Sequence, residues 1–229
     1  MPAARSELDF GLISRVVVKV DLHVHSSASA DCNSEPESVA VRCRRLGLHP
    51  VFLTDHNTLA GVHRLRALGE ERIVAGEEIM TAAGEIIGLF LRRTVPTGMT
   101  PKDTALDIKL QGGLVYLEHP YDPFRRHLSE ESIEALSELI DIVEVFNGRS
   151  DERTNRRALD LCTILDAAPG AGSDAHSLGE IGSVYLEMED FAGPEDFLVK
   201  LRAATIVKRR RSLILSASET IIRNLRRRA

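Results

Sequence analysis

An apolar run ends abruptly in two histidines one residue apart, in Val20-Asp21-Leu22-His23-Val24-His25-Ser26. Residues i and i+2 of a strand share a face, so His23 and His25 set two imidazoles side by side, which is half of a metal site. A bare His-x-His is more often a pair of edge-strand histidines facing water. The rest of the chain reverses that balance. Thr54-Asp55-His56-Asn57, Glu77-Glu78, Glu118-His119-Pro120 and Gly172-Ser173-Asp174-Ala175-His176 each place a ligand-type residue just after another apolar run. Pooled, the strand ends supply His23, His25, His56, His119, His176, Asp31, Asp55, Glu78 and Asp174, imidazoles and carboxylates without a thiolate. Such donors suit Zn, Mn or Fe, and the lack of cysteine argues against a structural zinc cage. The set is too large for one ion, so two to three divalent metal ions are expected. Phosphate-ester hydrolysis uses such clusters: one cation lowers the pKa of a bridging water while others clamp the attacking and leaving oxygens.

Those residues need strands to deliver them. Val16 to Val20 is a β-branched run that brings His23 and His25 to its end. Ser34-Glu35-Pro36-Glu37 fits a capping box with proline in the first turn, opening a helix that Gly47 closes. Val51-Phe52-Leu53 is a second strand, a helix to Gly69 follows, and Ile73-Val74-Ala75 is a third strand ending in Gly76-Glu77-Glu78. Residues 84 to 90 read as an extra strand, hairpinned with 77 to 81. Thr100-Pro101 caps a helix to Gln111, and Leu114 to Leu117 is a strand ending in Glu118-His119. A helix over 129 to 139 leads to the strand Ile142 to Val145, with Asn147-Gly148-Arg149 at its end. A longer helix from Asp151 to Ala167 runs into the short Pro169-Gly170-Ala171-Gly172 segment. A last strand, Ser183 to Leu186, precedes a helix to Ala203. Alternating strands and helices argue for parallel strands with helical crossovers, and the ligands fall where barrels and open α/β sheets place their sites, at strand C-termini. Seven such strands and a hairpin suit a barrel slightly short of eight, in one domain over residues 16 to 207. Residues 1 to 15 form an N-terminal extension and 208 to 229 a basic C-terminal segment, expected to be helical and packed on the barrel.

Composition excludes several classes. With 229 residues the chain is long enough for one sizeable core, and its 43% hydrophobic and 28% charged residues are ordinary globular values. No apolar run approaches the roughly 20 residues needed to span a bilayer, and residues 1 to 15 have neither an apolar h-region nor a small-residue cleavage site. Cys32, Cys43 and Cys162 form no CxxC and read as reduced thiols of a cytoplasmic protein, the last two in the core. The net charge of −5 hides an asymmetry: residues 200 to 229 hold ten Lys/Arg against Glu219 alone. An acidic body suits cations, and the basic end could attract a phosphate-rich substrate; a solvated helix end reads equally well.

In order and approximate spacing, Asp21-Leu22-His23-Val24-His25-Ser26, Thr54-Asp55-His56-Asn57, Gly76-Glu77-Glu78-Ile79, Glu118-His119-Pro120 and Gly172-Ser173-Asp174-Ala175-His176 resemble the polymerase and histidinol phosphatase (PHP) family over residues 18 to 190. The resemblance implies an α/β fold, a distorted (β/α)7 TIM-like barrel with a trinuclear site, and metal-dependent phosphoesterase activity by in-line attack of a metal-bound hydroxide. Carried over residue by residue, it implies that His23, His25, Glu78 and Asp174 hold one metal and that Asp31, His56 and His176 hold a second. Glu78 would bridge to a third, held with His119 and the residue at 85. Two departures stand out. Ala30 occupies the family's aspartate position with Asp31 one residue later, and Glu85 stands where the family has a histidine.

Of the other residues, Asp21 and Asp55 neighbour ligand histidines and read as groups that orient them, and Asp55 is placed with Arg149 in the catalytic set. Arg149 at a strand end could fork onto a substrate phosphate, with Arg125 and Arg126 as weaker candidates. Glu77 is evenly balanced between a role and none, while His49, His63 and His127 match no motif. The substrate expected is a nucleotide or oligonucleotide phosphoester. The rivals are a small ester such as histidinol phosphate, and a non-catalytic metal or nucleic-acid binding module.

Overall fold

The computed structural model describes residues 16 to 209. The N-terminal extension and residues 210 to 229 of the basic C-terminal segment, with its expected helix, lie outside them. Six strands form one curled sheet in chain order: β2 (Val51–His56), β3 (Ile73–Thr81), β4 (Gly84–Leu89), β5 (Leu114–Leu117), β6 (Ile142–Asn147) and β7 (Ala168–Gly172). The pairs β2·β3, β5·β6 and β6·β7 are parallel, while β4 runs antiparallel to both neighbours. It is the expected hairpin strand, built into the sheet. The helices α1 (Pro36–Leu46), α2 (Ala60–Ala67), α3 (Pro101–Leu110), α4 (Glu130–Ala135) and α5 (Glu152–Ile164) lie between the strands in the chain.

The first and last expected strands behave differently from the rest. β1 (Val17–Val20) and β8 (Val184–Glu189) pair antiparallel with each other, and β8 pairs with β9 (Thr205–Lys208), in a separate three-stranded sheet. The curled sheet closes instead through the irregular stretch just beyond β1. Leu22 N–H donates to Ala171 O at 3.3 Å and His25 N–H to Ala175 O at 3.0 Å on the β7 side. On the β2 side, Thr54 N–H donates to Val24 O at 2.9 Å. The segment that carries His23 and His25 is therefore the seam of the barrel.

Strand periodicity explains the layout of core and site. Along β2 the inward residues are Phe52 and then His56; along β3, Val74 and then Glu78; along β6, Ile142 and then Glu144. The antiparallel β4 reaches the same level from its other end, with Glu85 above Ile87. Apolar residues thus fill the base of each inner face and polar ones its mouth. Phe52, Val74, Ile87, Tyr116 and Ile142 join Phe197 and Leu201 of α6 (Pro194–Leu201) and Leu186 of β8 in one buried cluster that floors the barrel. The opposite strand faces, such as Leu53, Ile79, Ile86 and Val143, pack with Val39, Cys43, Val62, Ile108 and Cys162 of the helices.

Helix ends follow local chemistry, with one correction. Gly47 closes α1 at φ 72°, the Thr100 side chain accepts from Asp103 N–H at the start of α3, and the Asp151 side chain accepts from Thr154 N–H at the start of α5. At α1 the expected capping box does not form: Glu35 is the N-cap and makes no side-chain cap bond, while Pro36 begins the helix as expected. The helix starts one residue later than a box on Ser34 requires, and the Ser34 carbonyl instead accepts from Ser27 N–H at 2.7 Å, tying down the loop after His25. The expected helix over 129 to 139 stops at Ala135. Among the described residues no helix is long and apolar enough to cross a membrane.

Candidate metal centre

Glu78 is the hub of the barrel mouth, 2% exposed and on β3 at the point where its pairing with β2 ends. Its Oε2 lies 3.2 Å from His23 Nε2, 3.2 Å from His25 Nε2 and 3.4 Å from His56 Nδ1, and its Oε1 lies 3.1 Å from His119 Nε2. Asp174 Oδ1 stands 3.7 Å from His25 Nε2 and 3.3 Å from His176 Nδ1. Asp31 Oδ2 stands 2.9 Å from His176 Nε2 and 3.5 Å from His56 Nε2. Glu85 Oε1 is 3.6 Å from His56 Nδ1.

Four overlapping triads have donor atoms within 4.8 Å of one another: His23, Glu78 and His119; His23, His25 and Asp174; His25, His56 and His176; and His56, Glu78 and Glu85. All nine residues expected as ligands are brought together, Glu85 included. The donors suit a group of hard to borderline divalent cations. Two of them independently mark a missing partner, since His25 Nε2 and Asp174 Oδ1 are buried yet make no hydrogen bond. A cation between them would use both lone pairs.

The electrostatics agree with that fit. Burial pulls His25 down to about 4, keeping its imidazole neutral with a lone pair to give. Burial also opposes the charged forms of His23, Glu78 and Asp174. The mutual attraction of imidazolium and carboxylate wins: His23 is raised well above its ordinary value, Glu78 lies well below the usual carboxylate range, and Asp174 falls to about 2. In His56 burial is outweighed by its hydrogen bond to Asp31 and the charges of Glu78 and Asp31, raising it to about 9.

The backbone at two ligands is unusual. His119 has φ 28° and Asp174 φ 52°, conformations that side-chain-bearing residues seldom adopt and that persist only when their surroundings fix them. Asp21, expected to orient His23, does most of its work on the Asp174 turn. It accepts from Ser173 N–H at 2.8 Å and Gly182 N–H at 2.9 Å, while the bond from His23 N–H is longer, at 3.4 Å. Burial pushes Asp21 up to about 6 despite those donors. Gly172 is required beside it, because a Cβ there would sit 2.4 Å from His23 Cβ.

Asp55 lies behind the cluster, under the 26 to 29 loop. It accepts from Ser26 N–H at 2.6 Å, Ser26 Oγ at 2.8 Å and Ser29 Oγ at 3.0 Å, and Ser29 Oγ is itself 3.3 Å from His25 Nδ1. Its link to the chemistry runs through Ser29. Arg149 is at the cluster: its Nη1 donates to His176 Nδ1 at 2.7 Å and lies 3.7 Å from Asp174 Oδ1. Arg125 joins it, with Nη2 2.7 Å from Asp174 Oδ2. Arg126 points to Met80 instead. Glu77 faces away from the ligands, accepting from Val95 N–H at 2.9 Å. His63 is exposed, and His49 and His127 are half-buried, none of them in a ligand triad.

Sequence reasoning missed Glu144. It is fully buried, with Oε1 3.1 Å from His23 Nδ1 and Oε2 accepting from His119 N–H at 2.8 Å. A glutamate alone on the inner face of an otherwise apolar strand was the available signal.

The chain is similar to known proteins in sequence and in fold. The PHP domain family matches residues 21–143, and a PHP-associated family matches 152–206. Over 219 residues the chain is 32% identical to the uncharacterized protein MJ0417 of Methanocaldococcus jannaschii, covering 89% of this chain and 88% of that protein. It superposes with a TM-score of 0.68 on a two-domain protein of Bacteroides vulgatus containing a predicted PHP-like metal-dependent phosphoesterase, at 20% identity over 85% of this chain and 66% of that one. It superposes with a TM-score of 0.61 on the lesion-specific endonuclease EndoQ of Pyrococcus furiosus, at 14% identity over 83% of this chain and 58% of that one. Motifs, barrel and donor cluster meet in one conclusion: the chain belongs to the PHP domain family.

Proposed function

We propose that the chain is a metal-dependent phosphoesterase that hydrolyses a phosphate ester at the barrel mouth with two to three divalent ions. The observation that carries this reading is the clustering of eight imidazole and carboxylate residues in four overlapping triads, with four of the histidines within 3.4 Å of the Glu78 carboxylate and two guanidiniums beside Asp174. Bound divalent cations would supply water activation and neutralisation of charge on the phosphoryl oxygens. His23, His25, Glu78 and Asp174 would hold one ion, Asp31, His56 and His176 a second, and Glu78, His119 and Glu85 a third. With the Asp174 oxygens engaged, Arg149 and Arg125 are placed to turn their forks onto the phosphate and stabilise charge in the transition state. Asp55 keeps the 26 to 29 loop, and through Ser29 the His25 ring, in register.

The favoured substrate is a nucleotide or oligonucleotide. The basic residues from Lys208 onward support it, as does the fold shared with a lesion-specific endonuclease. Elemental analysis of protein purified without chelator, paired with a panel of phosphomonoesters, including histidinol phosphate, and labelled oligonucleotides, tests the proposal. We expect two to three ions per chain and turnover that chelator abolishes. Less than one ion per chain, or no hydrolysis with Mn, Zn or Fe restored, would sink it. If the basic end steers polyanions, kcat/KM on an oligonucleotide should fall with salt more steeply than on a monoester, as screening shortens from about 30 Å at 0.01 M to about 8 Å at 0.15 M.

A further inference from the structure

Glu144 is fully buried, and four groups from the seam, the end of β5 and β6 itself converge on its two oxygens. Oε1 accepts from Tyr116 Oη at 2.9 Å and faces His23 Nδ1 at 3.1 Å. Oε2 accepts from His119 N–H at 2.8 Å and Asn147 Nδ2 at 2.9 Å. Asn147 Nδ2 also reaches Asp174 Oδ2 at 3.3 Å. Glu144 and Asn147 are both buried.

We infer that Glu144 is a positioning residue that sets the tautomer of His23 and, directly or through Asn147, the places of His119 and Asp174. Both Glu144 oxygens already act as acceptors, from Tyr116, the His119 amide and Asn147, so the hydrogen bond to His23 is made with Nδ1 as the donor, carrying the proton. His23 Nε2, the atom beside Glu78, is then the one left with a lone pair. The second oxygen acts on shape. Its bond to the His119 amide helps hold a backbone at φ 28° that would otherwise relax and withdraw the imidazole. The Asn147 amide divides its donors between Glu144 and Asp174, tying the other positive-φ ligand to the same anchor. One side chain on β6 thus connects ligands arriving from the seam, β5 and β7, so the three donors keep one spacing.

This inference rests on the metal-dependent reading, and the experiment separates their failures. Glu144→Gln preserves shape but leaves one acceptor oxygen for four donors. In the full-length chain, zinc affinity by competition with a chromophoric chelator should fall about 10- to 100-fold, the usual cost of losing a group that orients a ligand histidine. The circular dichroism spectrum should be retained. Tyr116→Phe removes another donor to the same carboxylate while leaving His23 its partner, and should leave zinc affinity at the wild-type value. Should Glu144→Gln fail to fold, long-range 15N–1H spectra of zinc-loaded wild-type protein still decide, with a protonated Nδ1 and a bare Nε2 expected for His23. Wild-type affinity in Glu144→Gln, an equal loss in Tyr116→Phe, or a bare Nδ1 in His23 would overturn the inference alone. Failure of the wild type to bind zinc or manganese would overturn the phosphoesterase reading and this inference with it.

Discussion

The cluster has a buried half and an open half. His23, His25, Glu78, His119 and Asp174 are each at most 2% exposed, whereas the side chains of Asp31, His56 and His176 are 52%, 24% and 12% exposed. In the buried half four of the five donors are backed by something else: Glu144 behind His23 and His119, Ser29 behind His25, and Asp21 behind the turn of Asp174. The Asp31 carboxylate meets the cluster only through His56 and His176. Charges in the dry half interact at lower effective dielectric and cannot be left unpaired, while those at the rim are screened by water. The difference teaches that the two halves should hold ions with unequal strength: firmly where the donors are preassembled, and exchangeably at the rim.

Glu78→Gln should produce the largest effect, because that carboxylate is shared by both halves. We expect metal content to fall below one ion per chain and turnover to drop by well over about 10²-fold, beyond the range for residues one step removed from the ion. Elemental analysis and initial rates check it, and retention of two ions would break the hub assignment. Asp31→Asn should remove only the rim ion. Stoichiometry should fall by about one, activity by roughly 10- to 100-fold with rescue by excess metal, and the remaining ions should resist chelator as in the wild type. Loss of every ion would mean that the halves are not separable. Glu85→His should act on preference more than on strength. Replacing an oxygen donor with imidazole should move the best-supporting ion from Mn or Mg towards Zn, and an unchanged ranking would place Glu85 outside the coordination sphere. The smallest effect on metal content is expected from Asp55→Ala. It leaves the Ser26 and Ser29 donors unanswered in a buried setting, costing about 1–3 kcal/mol in chemical denaturation, with ion content unchanged.

Most of the open half and all five imidazoles were legible in the sequence, since each ligand ends an apolar run and strand alternation fixes which face it takes. Less visible were features that depend on neighbours far away in the chain. Residues 168 to 172 carry little strand propensity, yet they form β7, as the count of seven strands requires. Its glycines answer to Tyr116 and His23, which crowd the places where Cβ atoms at 170 and 172 would go. β9 is too short to announce itself and follows a tight turn after α6. The departure of β1 and β8 into their own antiparallel sheet was hidden because both carry ordinary strand patterns, and pairing direction is not written in a period of two. Asp55 beside His56 could be recognised as important by adjacency, but its route through Ser29 could not.

The seam offers a last consequence. Most barrels close through strands whose amides are locked in a continuous ladder. Here closure passes through a few bonds around residues 22 to 25, and the ligands His23 and His25 are themselves among the residues making those bonds. Any ion held by His23 and His25 therefore acts as a rivet across the join. Amide exchange at Leu22, His25 and Thr54 should accelerate on chelation before the floor of the barrel responds. A protease probing the stripped protein should find its earliest cut near this stretch. In such a chain, loss of cofactor and loss of closure would be a single event, letting quality control read metal load from shape alone.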